Sequence, residues 1–174
     1  MSTGTTIRAT IDRKKFVAVL ELLALLPQSE SDEESTELGG VRLMYAKTNP
    51  DLGGCIDLQF ELSLSDITED SNERCWGGFC RLLCVLLPSG IGEKDPTLRT
   101  FTTLEQFLEV DSVLDKLPPS ERRILGEDGH LVRLLTFEYN PEKFTGGVKV
   151  ILELNIKFLQ DDFVPLKKIL TLLI

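Results

Sequence analysis

Few side chains in this sequence have chemistry to offer. There are four cysteines (Cys55, Cys75, Cys80 and Cys84), one histidine (His130) and a surplus of carboxylates. Cys80 and Cys84 are four apart in a stretch with helical apolar spacing, which puts them on one helix face. A structural zinc site uses two close pairs of Cys or His, and the sequence has no second pair. A nucleophilic thiol needs an activating base. His130, the one histidine, sits in a Glu127-Asp128-Gly129-His130 turn. Among Phe79, Leu82, Leu83 and Leu87, these cysteines read as small apolar core residues. The glycine pairs 53–54, 77–78 and 146–147 lack the spacing of a phosphate-binding loop. The expectation is no catalytic residue, no metal and no cofactor: the chain is not an enzyme.

Charge narrows the partners. The net charge is −9 and the pI about 4.7, so phosphate backbones and anionic lipid are repelled. Neither nucleic acid nor membrane is expected. The first ten residues are polar, and the apolar stretch at 16–26 is broken by Glu21 and too short to span a bilayer. Unbridged cysteines fit an intracellular, cytoplasmic chain, with the nucleus allowed. The segment 28–40 carries Glu30, Asp32, Glu33, Glu34 and Glu37. Its functional reading is a docking segment for a basic partner, with Glu33 and Glu34 as candidates.

The elements that would position these groups occur twice. Sliding the sequence by 91 residues aligns Thr6-Ile7-Arg8 with Thr97-Leu98-Arg99, Phe16 with Phe107, Val19 with Val110, and Val41-Arg42-Leu43 with Val132-Arg133-Leu134. Asn49-Pro50-Asp51 falls on Asn140-Pro141-Glu142. Of 46 gapless pairs, 14 are identical, where ordinary composition gives roughly three. Later the register moves by one or two residues, so that Glu61 meets Glu153.

Each copy reads as β-α-β-β-α. In the first, 5–11 alternates as a strand, Asp12 caps a helix over 13–26, and 41–47 and 56–64 form a hairpin around an Asn-Pro-Asp and Gly-Gly turn. A helix follows over 73–87. In the second, 98–102 is the strand and 103–117 the helix, capped by Thr102 or Thr103. The hairpin is 131–139 with 148–159, and 162–173 is the closing helix. Strands with one apolar and one polar face call for an α+β fold, an antiparallel-rich sheet with helices on one face. The two copies, residues 1–90 and 91–174, should pack intimately about a pseudo-twofold axis.

Two family resemblances attach to particular residues. Glu138-Tyr139-Asn140-Pro141-Glu142-Lys143-Phe144 resembles a short motif in the TATA-box-binding protein core, itself a tandem repeat. The chain is acidic and lacks that fold's extra strands, so DNA binding does not follow. The strand-helix-strand-strand order, twice over, resembles the gyrase-inhibitor-like small-molecule-binding modules. That likeness implies a ligand cleft between the repeats; the helix after each hairpin departs from its pattern.

The functional expectation is a non-catalytic binding or assembly protein acting through protein–protein contacts, by self-association or with a basic partner. The alternative is a small-molecule-binding module whose inter-repeat pocket is lined by Trp76, Phe79, Tyr45 and Tyr139. Arg42, Arg133, Glu61 and Glu153 occupy equivalent positions on the polar strand faces. They are expected to pair across strands, or to hold an anionic or zwitterionic ligand. Trp76, beside the Gly77-Gly78 pair, is a further candidate.

Overall fold

The computed structural model describes residues 4–25, 37–38, 40–49, 55–68, 73–88, 94–116, 132–159 and 163–174. In chain order these form β1 (Thr5–Ile11), α1 (Arg13–Leu25), β2 (Glu37–Leu38), β3 (Val41–Asn49), β4 (Cys55–Leu62), α2 (Leu64–Thr68) and α3 (Glu73–Val85). Then come β5 (Lys94–Thr103), α4 (Leu104–Lys116), β6 (Val132–Tyr139), β7 (Gly147–Leu154), α5 (Ile156–Leu159) and α6 (Val164–Leu172). The fold is α+β, as the alternating strands require.

All seven strands join one antiparallel sheet in the order β2-β3-β4-β1-β5-β7-β6. At its centre β1 pairs with β5: Thr6 lies opposite Arg99, Ile7 opposite Leu98 and Arg8 opposite Thr97. The β1–β5 register slips between Arg8 and Thr10. Pro96, which has no N–H to give the ladder, sits at that slip. Each outermost long strand carries a bulge, between Leu43 and Tyr45 in β3 and between Leu134 and Thr136 in β6.

One face of the sheet is apolar. Ile7, Ala9, Ile11, Leu58, Phe60, Leu98, Val150 and Leu152 are buried against Val19, Leu23, Phe79, Leu82, Phe107, Val110 and Ile169 of the helices. Burial of that apolar surface is what stabilises the sheet–helix layers. The helix ends follow their sequence signals. Asp12 Oδ1 accepts from Lys15 N–H at 2.8 Å. Thr103 Oγ1 accepts from Gln106 N–H at 3.1 Å, while Gln106 Oε1 accepts from Thr103 N–H at 3.0 Å, a reciprocal capping box. Lys15 Nζ donates to the Leu87 carbonyl and ties α1 to the end of α3. Among the described residues no helix is long and apolar enough to cross a membrane.

Three sequence expectations need correction. The strand expected over 148–159 ends at Leu154, and Ile156–Leu159 is helical. The Ile156 backbone N–H at this turn favours the charged form of the Asp95 carboxylate. The strand expected to reach 64 stops at Leu62, where the Ser63 N–H bonds the Gly40 carbonyl at 2.7 Å and α2 begins. The strand expected over 98–102 runs further, from Lys94 to Thr103.

Candidate functional site

The polar face of the sheet carries most of the residues picked out from the sequence. Arg42 and Glu61 are directly opposite on β3 and β4, with Nη2 and Oε2 at 3.0 Å. Arg133 and Glu153 are opposite on β6 and β7, with Nη2 and Oε1 at 3.2 Å. The two arginines are exposed and the two glutamates partly exposed. Each cross-strand pair is therefore worth only roughly 0.2–1 kcal/mol.

Between these two pairs lies a feature that the residue-by-residue reading missed. The register runs Arg42–Glu61–Thr6–Arg99–Ile151 across one row of this face and Tyr45–Gln59–Arg8–Thr97–Glu153–Arg133 across the next. Arg8 and Arg99 are diagonal neighbours on the central strand pair, a spacing of about 7–8 Å between backbones. Arg8 Nε donates to Gln59 Oε1 at 3.0 Å. Arg99 stacks over Phe101, its guanidinium carbon 5.3 Å from the ring centroid. Neither arginine pairs with a carboxylate among the described residues. The signal was present in the Thr-x-Arg triplets at 6–8 and 97–99. It becomes spatial only once β1 and β5 are known to be neighbours.

The second half has an extra acid. Asp95 is half-buried next to the Arg133–Glu153 pair. Its carboxyl is raised above the ordinary aspartate range by burial and by the Glu153 charge, against the opposing pull of the Ile156 N–H and Arg133. The residue 91 positions before it is Gly4.

Trp76 is elsewhere. It is partly buried on α3, packs on Phe79 at 5.7 Å between ring centroids, and lies under the Lys167 ammonium of α6 at 5.6 Å. It holds helix to helix. The four aromatics expected to line one pocket are dispersed: Phe79 is in the core, Tyr45 projects from the polar face of β3, and Tyr139 stands on the outermost strand. Burial pushes the Cys80 thiol up to about 12, helped by Cys84 and opposed by Lys167. Burial also raises Cys84. Both thiols stay protonated at neutral pH and are poor nucleophiles. Among the described residues no three His, Cys, Asp or Glu side chains group so as to hold a metal ion. His130 and the acidic candidates Glu33 and Glu34 lie outside the described residues.

No protein-family model and no curated protein matches the chain. Among solved structures, the chain is similar to an aspartate kinase from Clostridium acetobutylicum, described as an important allosteric enzyme for industrial amino acids production. The identity is 10% and the TM-score 0.26; the likeness covers 98% of this chain and 32% of that one. The chain thus spans about a third of that enzyme's length.

The outermost strand completes the surface. On β6, Leu135, Phe137 and Tyr139 are exposed, as are Leu104 and Leu108 on the neighbouring α4. The Phe137 ring lies 4.3 Å from that of Phe107, so the strand's aromatics continue outward from the core. Sequence reading placed the first three in a strand and the two leucines in a helix, and gave a role to Tyr139 alone, as a pocket aromatic. The usable signal was a contrast at the 91-residue offset: Ala46 and Thr48 stand 91 residues before Phe137 and Tyr139.

Proposed function

We propose that the chain is a non-catalytic assembly protein, built by tandem duplication of a β-α-β-β-α unit and acting through protein–protein contacts. The central strand pairing supports the duplication. Moving each partner by 91 residues exchanges Thr6–Arg99 with Arg8–Thr97 and returns Ile7–Leu98 to itself. The bulges, after Leu43 and Leu134, are also 91 apart. A pseudo-twofold axis would then pass through the Ile7–Leu98 pair, with residues 1–90 and 91–174 as its two halves.

The observation that carries the assembly reading is the apolar edge, where Leu135, Phe137, Tyr139, Leu104 and Leu108 are open to solvent. Clustered exposed aromatic and aliphatic side chains at the rim of a sheet mark a contact surface. The test is size-exclusion chromatography with light scattering on the purified chain at micromolar concentration. A dimer or larger assembly is expected; a monomer at every concentration removes the self-association on which this reading relies.

A further inference from the structure

The free edge of β6 has a charge pattern and a face pattern that together select an occupant. Among the described residues β6 has a strand neighbour on one side, β7. Its helix-side residues are Val132, Leu134, Phe137 and Tyr139, opposite Leu154, Leu152, Val150 and Val148. Its polar-face residues are Arg133, Thr136 and Glu138, opposite Glu153, Ile151 and Lys149. The bulge at Leu135 shifts the alternation by one, so like-facing residues before and after it differ by an odd number. An antiparallel partner of the same sequence keeps like faces together only if the numbers of opposed residues sum to an odd value. The register that opposes Val132 to Tyr139 satisfies this and uses the whole strand. It sets Leu134 against Phe137 on the helix side and Arg133 against Glu138 on the polar side. Two opposite-charge contacts result, one on each side of a twofold axis between Leu135 and Thr136.

The equivalent edge in the first half lacks this match. There Arg42 would face Lys47, like against like, and β2 already occupies Val41 and Arg42. The apolar complement differs in the same sense: Phe137, Tyr139 and Leu104 replace Ala46, Thr48 and Arg13, while Leu108 and Val17 are both exposed. We propose that a second copy of this chain docks through β6, antiparallel and twofold, in the register that places Arg133 opposite Glu138 of the other copy. The two sheets become one, and Leu104, Leu108, Phe137 and Tyr139 are covered at the joint. The closed, isologous contact leaves no β6 edge open for further growth.

This inference rests on the assembly reading, and the experiment separates the two. Arg133→Glu and Glu138→Arg are made singly in the full chain, and circular dichroism is used to verify that each folds. Either variant alone opposes like charges twice, so its dimer dissociation constant should rise at least about tenfold in sedimentation equilibrium at low salt. An equimolar mixture restores both contacts, so heterodimers should form with near wild-type affinity. If the wild type dimerises and both single variants match it, assembly stands and the β6 edge is not its interface. If the singles weaken and the mixture does not recover, the register is wrong. A wild-type monomer overturns both readings.

Discussion

At the scale of single residues, the buried face of the sheet contains one polar contact that has no substitute. Thr5 and Thr100 are both buried, and their hydroxyls are 2.8 Å apart across the β1–β5 seam. Thr5→Val strands the Thr100 hydroxyl in the core and should cost about 1–3 kcal/mol by urea denaturation. The double variant, with Thr100→Val, removes both polar groups and should recover most of that loss. Asp95 gives a pH-dependent counterpart. Its raised carboxyl holds a proton to higher pH in the folded chain than in the unfolded one. Wild-type stability therefore falls as pH rises through the ordinary aspartate range toward the raised one, then levels off. Asp95→Asn should match the wild type in acid and become progressively more stable than it as pH rises to neutrality; urea midpoints across that range are the readout. The Arg42–Glu61 and Arg133–Glu153 pairs were legible in the sequence, because equivalent positions in adjacent strands had to meet. Asp95 was not, because its neighbours come from Glu153 and Ile156, which only the sheet brings to it.

At the scale of elements, strand alternation and capping signals carried most of the information. The Asp12 and Thr103 caps, both hairpins and the four longer helices were all readable from local patterns. The two-residue β2 was not, since a strand that short has no periodicity. The short helix α5 was missed because Ile156 and Phe158 prolong the period of two past the end of the strand. Nothing in that local alternation marks Leu154 as the last residue of β7. The second hairpin turn makes a sharper claim about glycine. Gly146 and Gly147 both have positive φ, +78° and +96°. A Cβ on Gly146 would also lie 2.7 Å from the Thr102 carbonyl oxygen, whereas one on Gly147 would meet nothing closer than 3.5 Å. Gly147→Ala should cost about 1 kcal/mol for its backbone conformation. Gly146→Ala should cost clearly more, because the neighbouring strand backbone must also move. Paired thermal melts rank the two, and equal melting temperatures would count against this account.

At the scale of the whole molecule, the seam between the halves is made of strands. β1 bonds to β4 on one side and β5 on the other, so neither half has a complete sheet without its neighbour. Unfolding should follow suit. Trp76, the one tryptophan, sits on α3 in the first half and packs on Phe79 there. Its fluorescence and the far-ultraviolet circular dichroism of the whole chain should give superimposable urea transitions. An earlier fluorescence midpoint would mean that the halves melt separately. The continuity of the sheet was the least legible part of the fold. Periodicity identifies strands and their faces, but the choice of β5 as the partner of β1 depends on contacts far apart in sequence.

The Ile7–Leu98 pair at that seam has a consequence for synthesis of the chain. Until residues 94–103 emerge, β1 has a bare inner side, with its apolar face already aligned by β4. Its counterpart in a neighbouring unfinished chain presents the same surface. Two early halves could therefore zip together with Thr6 facing Arg8 of the other. Folding-back of β5 onto β1 would compete with this intertwining, so slow translation just after residue 90 would favour exchanged polypeptides over single ones.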